Sequence, residues 1–203
     1  MKLFVPAEWS MDGEDRDIKS PADQLKKSVQ DEARSLGLPT TSFFPGAWVE
    51  FFPRFGWDLA NSTIKIRGTG EQPVSMTSIH DVARFAAHAL TVFPREQLEN
   101  ARFFIEGERV VGHVYSSNGS QLMMLQSLTE LSQRLQKVSS KPIGITRESR
   151  QELEEAAAIP TNMPAKLALS WDSGKGAHPR ALANHMWPEW NPKAAVQVLA
   201  SML

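Results

Sequence analysis

Leu3, Phe4 and Val5 form an uninterrupted apolar run closed by Pro6, the pattern of a short strand covered on both faces. The polar stretch "MDGEDRDIKSPAD" follows, with Gly13 and Pro21 breaking regular structure, so it reads as a loop. From Pro21 to Leu36 the residues Ala22, Leu25, Val29, Ala33 and Leu36 recur at helical spacing, and Gly37 ends the helix. "LPTTSFFPG" then resumes as a strand. Strand, helix, strand in this order is the unit of a parallel sheet, and it places the chain in the α/β class.

Beyond this unit the pattern stays mixed. Residues 47–57, "AWVEFFPRFGW", carry five aromatic side chains directly after the strand end at Pro45-Gly46. Ligand crevices of open parallel sheets lie beyond the carboxyl ends of the strands, so Trp48, Phe51 and Phe52 are candidates to wall a pocket, with core packing as the alternative. "TIKIRGTGEQPVSM" reads as two short strands around a glycine-containing turn. Its G-T-G lacks the fuller G-x-G-x-x-G spacing and a helix behind it, which makes it a turn and not a phosphate cradle.

"SIHDVARFAAHAL" opens with a capping box, Ser78 to Asp81, and buries Val82, Phe85, Ala86, Ala89 and Leu90. His80 and His88 lie eight residues apart without a third ligand, so no metal site is expected. "RFFIEGE" is a further strand, and "SLTELSQRLQKV" is a helix capped by Ser127 with Leu128, Leu131, Leu135 and Val138 on one face. "KPIGIT" reads as a strand and "RESRQELEEAAA" as a helix. In the tail, Asn191 is the expected cap and Pro192 the first residue of a helix burying Ala195, Val198, Leu199 and Met202. The stretch "LALSWDSGKGAHPRALANHMWPEW", with Trp171, Trp187 and Trp190, reads as loop-rich and anchored to the core by its tryptophans. Its "DSGKG" lacks the spacing of a phosphate loop.

Composition narrows the function classes. The 203 residues carry 22 Lys plus Arg against 23 Asp plus Glu, a formal charge of -1, which gives no electrostatic footprint for nucleic acid. Cysteine is absent, which excludes disulfides, thiolate metal sites and a cysteine nucleophile and suits a reducing, cytoplasmic or nuclear compartment. No apolar run approaches the roughly 20 residues of a membrane span. The expected partners are a small-molecule substrate or a regulatory protein, without membrane, nucleic acid or metal.

Taken together, "KLFVPAEWS", "SLGLPTT", "FFPGAW", "PVSMTSIHDVARFAAHAL" and "LENARFFIEGE" resemble, in the right order, the NmrA-like family. This family of atypical short-chain dehydrogenase relatives includes the isoflavone reductase-like enzymes. The resemblance runs from Lys2 to about Ala158. It implies the C-terminal half of a Rossmann-like NAD(P)-binding fold with a smaller substrate domain. Residues 1–46 and 73–109 correspond to the nucleotide-binding core, 47–72 and 127–203 mainly to the substrate side. In the family the opening strand is the fifth of the sheet, and the glycine-rich pyrophosphate turn precedes it. Roughly a hundred residues, enough for the earlier βαβ units, have no counterpart, so weak NAD(P) binding, inactivity and poor solubility are expected of the chain as it stands.

The resemblance also implies a catalytic role for Lys26, on the helix after the fifth strand, with Lys26, Pro45 and Gly46 toward the NADP or NAD cofactor. Helix geometry alone sets Lys26 at the edge of the apolar stripe: with Leu25 at zero the stripe centres near ~40°, Lys26 near ~100° and Lys27 near ~200°. A boundary lysine aims its ammonium into a cleft or snorkels to the surface. The family's usual Pro-Ser-Glu is here Pro6-Ala7-Glu8. The implied function is an oxidoreductase acting on a small hydrophobic or aromatic substrate. The alternative is a redox-sensing regulator that binds NAD(P) and a protein partner, since the family's Tyr-x-x-x-Lys pair is missing and the single tyrosine is Tyr115. Residues 110–126, "VVGHVYSSNGSQLMMLQ", hold no Asp, Glu, Lys or Arg and read either as a retained intron translated in frame or as a surface loop.

Overall fold

The computed structural model of the chain describes residues 3–12, 21–110 and 128–203. The proposed intron at 110–126, Tyr115 and the Ser127 cap lie outside them, Val110 excepted as the end of a strand. In chain order the elements are α1 (Pro21–Ser35), β1 (Thr41–Phe44), β2 (Ala47–Trp48), a 3-10 helix (Val49–Phe55), β3 (Trp57–Asp58), β4 (Thr63–Arg67) and β5 (Val74–Thr77). They continue with α2 (Ile79–Val92), α3 (Arg95–Leu98), β6 (Ala101–Phe104), β7 (Glu108–Val110), α4 (Leu128–Val138) and β8 (Gly144–Glu148). The last are α5 (Arg150–Ala158), α6 (Met163–Ser170), a π-helical turn (Trp171–Lys175), a second 3-10 helix (Ala183–Met186) and α7 (Ala195–Ala200).

Among the described residues the strands form three small sheets. β1 and β6 pair in parallel with Phe43 opposite Phe103, and the opening segment joins the other side of β1. There the Phe4 N–H donates to the Pro39 carbonyl at 3.0 Å and the Phe4 carbonyl accepts from Thr41 at 2.9 Å. The apolar run at Leu3–Val5 is thus a single parallel bridge, shorter than the strand its sequence suggests. β2 pairs parallel and β7 antiparallel with β5, and β4 takes β3 antiparallel and β8 parallel. The two strands read around the G-T-G turn, β4 and β5, lie in different sheets, so the turn hands the chain from one sheet to the next.

Two apolar clusters hold these layers. One joins Phe43, Phe103 and Ile105 to Phe85, Ala86 and Ala89 of α2, with Leu3, Val5 and Trp9 packed against it. Trp9 stacks on Phe43 at 5.1 Å. The other joins Phe52, Trp57, Ile64, Ile66 and Met76 to Leu131, Leu135, Trp171, Val198 and Leu199. Residues 183–190 pack with β1, β6 and α2 through Ala183 and Trp190, whereas α4 and α7 pack with β4. The carboxyl-terminal region therefore touches both layers.

Several expectations need correction. The apolar stripe of α1 faces outward: Leu25 is 66% and Leu36 63% exposed, and Val29 is exposed too, while only Ala33 is buried. The helix meets the body through Lys26, Gln30 and Ala33, a face rotated by about 70° from the stripe at 100° per residue. Beneath α1 the partners are polar: Lys26 and Gln30 contact Glu8 and Ser10. Leu90 and Val138 are also exposed, being at the ends of their stripes. The final helix starts at Ala195 with Ala194 as cap, four residues after Asn191, because Glu108 reaches in to accept from the Ala195 N–H at 2.6 Å. The loop-rich region from Leu167 begins inside α6, capped by Asn162, whose side chain accepts from Ala165, with Pro164 in its first turn.

Candidate active site

The loop that follows the opening segment, residues 6–12, lies at the carboxyl end of the parallel layer, where α/β sheets place their crevices. Three side chains from elsewhere converge on it. Trp48 donates its Nε1–H to the Trp9 carbonyl at 2.6 Å. Lys26 extends its Nζ to the Glu8 carbonyl at 3.5 Å and to Ser10 Oγ at 3.4 Å. Gln30 donates from Nε2 to Glu8 Oε1 at 2.7 Å. Lys26 and Gln30 are one helical turn apart on α1, which is why both reach Glu8, Lys26 at its carbonyl and Gln30 at its carboxylate.

Between this loop and α1 is a cavity of about 120 Å³, lined on one side by Glu8 and Asp12, on the other by Lys26 and Gln30, and also by Arg102 of β6. Its other cations are closely paired. Lys27 lies 2.8 Å and Arg34 2.7 Å from Asp31 on the outer surface, and Arg102 pairs directly with Asp12. Lys26 stands 3.9 Å from Glu8 Oε2, beyond hydrogen-bond distance. Among the described residues it is the cavity cation whose carboxylate is not in direct contact.

The other candidate residues occupy different surroundings. Pro45 and Gly46 end β1 and are buried: the Pro45 carbonyl accepts from Thr77 Oγ1 at 2.7 Å, and Gly46, at φ 75°, presses against the Ser75 backbone. Trp48 stacks on Phe51 at 6.0 Å, and Phe51 is 40% exposed beneath the Arg54 guanidinium. Phe52, on the opposite side of the same 3-10 helix, is buried edge-on to Trp57 at 5.0 Å and borders a separate cavity of about 20 Å³ with Phe55 and Trp171. The fold thus joins Trp48 and Lys26 through one loop, and sets Phe52 apart from both.

Sequence reasoning missed Asp172. It is buried in the π-helical turn, and its Oδ1 accepts from the Thr69 N–H at 2.7 Å, from Thr69 Oγ1 at 2.6 Å and from the Gly70 N–H at 3.3 Å, while Arg150 donates to Oδ2 at 3.0 Å. Burial pulls its carboxyl upward, but the bonds from Thr69, Arg150 and Gly70 prevail and hold it below the usual carboxylate value. The G-T-G turn is thereby a concave nest of amides filled by the protein's own carboxylate. The "DSGKG" phrase supplied the ligand of that nest; an acidic residue inside a Gly-rich phrase was the available signal.

Among the described residues no group of His, Asp and Glu is placed to hold a metal ion, and no helix is long and apolar enough to cross a membrane.

The whole chain superposes on solved reductases. Isoflavone reductase matches with a TM-score of 0.72 at 18% identity, covering 100% of this chain and 66% of its own. Leucoanthocyanidin reductase from Vitis vinifera, in a ternary complex, matches with a TM-score of 0.76 at 14% identity over 100% and 69%. The Citrobacter triphenylmethane reductase complexed with NADP(H) reaches 0.67 at 16% over 98% and 65%. The chain has the Rossmann-like fold of these isoflavone reductase-like proteins. It spans about two thirds of their length. No protein-family model and no curated protein matches the sequence.

For an NAD(P) cofactor the fit is divided. A pyrophosphate needs amides free to receive it, and the Thr69–Gly70 nest is filled by Asp172. Among the described residues no glycine-rich turn opens onto a helix in its place. Lys26 lines the cavity beside residues 6–12, where an ammonium is able to donate to a ligand hydroxyl.

Proposed function

We propose that the chain carries the lysine-bearing part of an NAD(P)-dependent oxidoreductase site acting on a small hydrophobic or aromatic substrate. The observation that carries this reading is the Lys26 ammonium, seated at the cavity wall beyond the strand ends and paired with Glu8 only at 3.9 Å, longer than the contacts of the cavity's other cations. An ammonium so placed would donate to a ligand oxygen and stabilise negative charge developing there. The cofactor supplies the hydride when bound. Trp48, half-buried, and Phe51, exposed, form an aromatic wall next to the same loop, with Phe52 behind them as support. Residues 47–72 and much of 127–203 then make up the substrate side. The neighbours add that pinoresinol reductase, of the same fold, was solved with NADP+ and (+)-pinoresinol.

The test separates the two ends of the cofactor. Reduced nicotinamide mononucleotide and NADPH are titrated against the protein while tryptophan fluorescence is followed. Both are expected to bind with similar affinity, because the described residues form no seat for the adenosine half, and Lys26→Ala abolishes the change while Lys27→Ala retains it. No response to either nucleotide, or an unchanged response in Lys26→Ala, overturns the reading. Binding without NADPH consumption on a panel of aromatic carbonyls favours a redox-sensing regulator over an enzyme.

A further inference from the structure

The seating of α1 is costly in apolar terms, since it leaves Leu25 and Leu36 in water and turns Lys26 and Gln30 inward. What lies beneath explains the choice. Glu8 is 4% exposed, and a carboxylate buried to that degree is tolerated only when its oxygens are hydrogen-bonded or faced by charge. Gln30 satisfies Oε1 at 2.7 Å, and Lys26 faces Oε2 at 3.9 Å. The Glu8 carbonyl meets Lys26 Nζ as well, and Ser10 completes the set. An ammonium has three N–H donors, so these two long contacts leave one for the cavity.

We propose that Glu8 is the positioning residue for Lys26: its buried carboxylate, clamped by Gln30, fixes the ammonium at the cavity wall with a donor turned to the ligand. This rests on Lys26 facing the ligand, and it adds two residues to the site, neither touching the reacting atoms. Gln30 acts on Glu8, and Glu8 acts on Lys26. This polar stack occupies the inner face of α1, and the apolar stripe points outward.

The experiment reads Lys26 without any nucleotide. The protein is acetylated with trace acetic anhydride, and tandem mass spectrometry separates the rates at Lys26 and Lys27. In the parent, the held Lys26 reacts several-fold more slowly than the exposed Lys27. Glu8→Gln, which keeps shape but removes charge, is expected to raise the Lys26 rate about threefold or more and to leave Lys27 unchanged. Glu8→Asp, which keeps the charge, restores part of the protection. A Lys26 to Lys27 ratio in folded Glu8→Gln equal to that of the parent overturns the proposal. Should Glu8→Gln fail to fold, Gln30→Met removes only the clamp, and an unchanged ratio there overturns it equally. Because labelling needs no cofactor, loss of the nicotinamide reading leaves this result standing, and the converse also holds.

Discussion

Asp172 and Thr69, more than a hundred positions apart in sequence, meet at 2.7 Å where the carboxylate accepts from the Thr69 backbone N–H. The contact ties the turn between β4 and β5 to the π-helical turn after α6. Gly68 permits the approach, since a Cβ there falls 2.4 Å from the Asp172 carboxyl carbon. Asp172→Ala leaves the amides of Thr69 and Gly70 and one arm of Arg150 without their acceptor, and the expected loss is about 2–3 kcal/mol in urea unfolding at pH 7.

The same carboxylate carries a pH signature. Its folded pKa is depressed, so the protonated form is favoured in the unfolded chain first, and stability falls with pH. The contribution is intact above the ordinary value of 3.8 and is lost as pH drops through the lower folded value. Asp172→Asn is therefore expected to be less stable at neutral pH and to show a shallower acid limb. Urea midpoints from pH 7 down to pH 2.5 measure both, and parallel curves for parent and variant contradict the assignment.

Gly46 tests how closely the strand ends are packed. Its φ of 75° lies in the left-handed region, and an added Cβ falls 2.3 Å from the Ser75 carbonyl oxygen, a backbone atom that cannot swing aside. Gly46→Ala is expected to cost about 3 kcal/mol or more, read as a lowered urea midpoint. A near-neutral result shows that the β1 end and β5 separate easily.

Much of the layout was legible in the sequence because local signals agreed with the fold. Ser78 accepts from the Asp81 N–H at 3.1 Å as the capping box implies, and β4 and β5 fall where Val, Ile and Thr cluster around the glycines. The exposed stripe of α1 was illegible, since periodicity shows that a helix has an apolar face but not which face its neighbours claim. Asp172 and Glu8 were missed for a related reason: each is defined by partners distant in sequence, Thr69 for one and Gln30 for the other. Lys26 was found through resemblance, and helix geometry placed it only at an edge.

The outward stripe makes its own prediction. Replacing both Leu25 and Leu36 by Gln is expected to change stability by less than about 0.5 kcal/mol, as for surface positions generally. Ala33→Gln, at the one buried position of α1, is expected to cost about 1–3 kcal/mol by overpacking. Urea unfolding of the two variants side by side checks the rotation of the helix. The reverse order of effects returns the buried face to Leu25 and Leu36.

Trp48 and Lys26 hold the same loop from two sides, so weakening one grip should show at the other. Trp48→Phe retains a ring to stack near Phe51 but has no N–H for the Trp9 carbonyl. The expected loss is about 1 kcal/mol, the usual net worth of one such bond. The Glu8 N–H, which donates to the Pro6 carbonyl at 2.9 Å, is expected to exchange faster with solvent as the loop opens more often. Lys26 acetylation should rise in step, because its anchors at Glu8 and Ser10 move with the loop. Phe51→Leu, which touches the aromatic wall but makes no bond to the loop, serves as the control. If exchange at Glu8 and labelling at Lys26 stay at parental rates in Trp48→Phe, the loop is held by Lys26 and Gln30 alone, and the aromatic wall is mechanically separate from the lysine site.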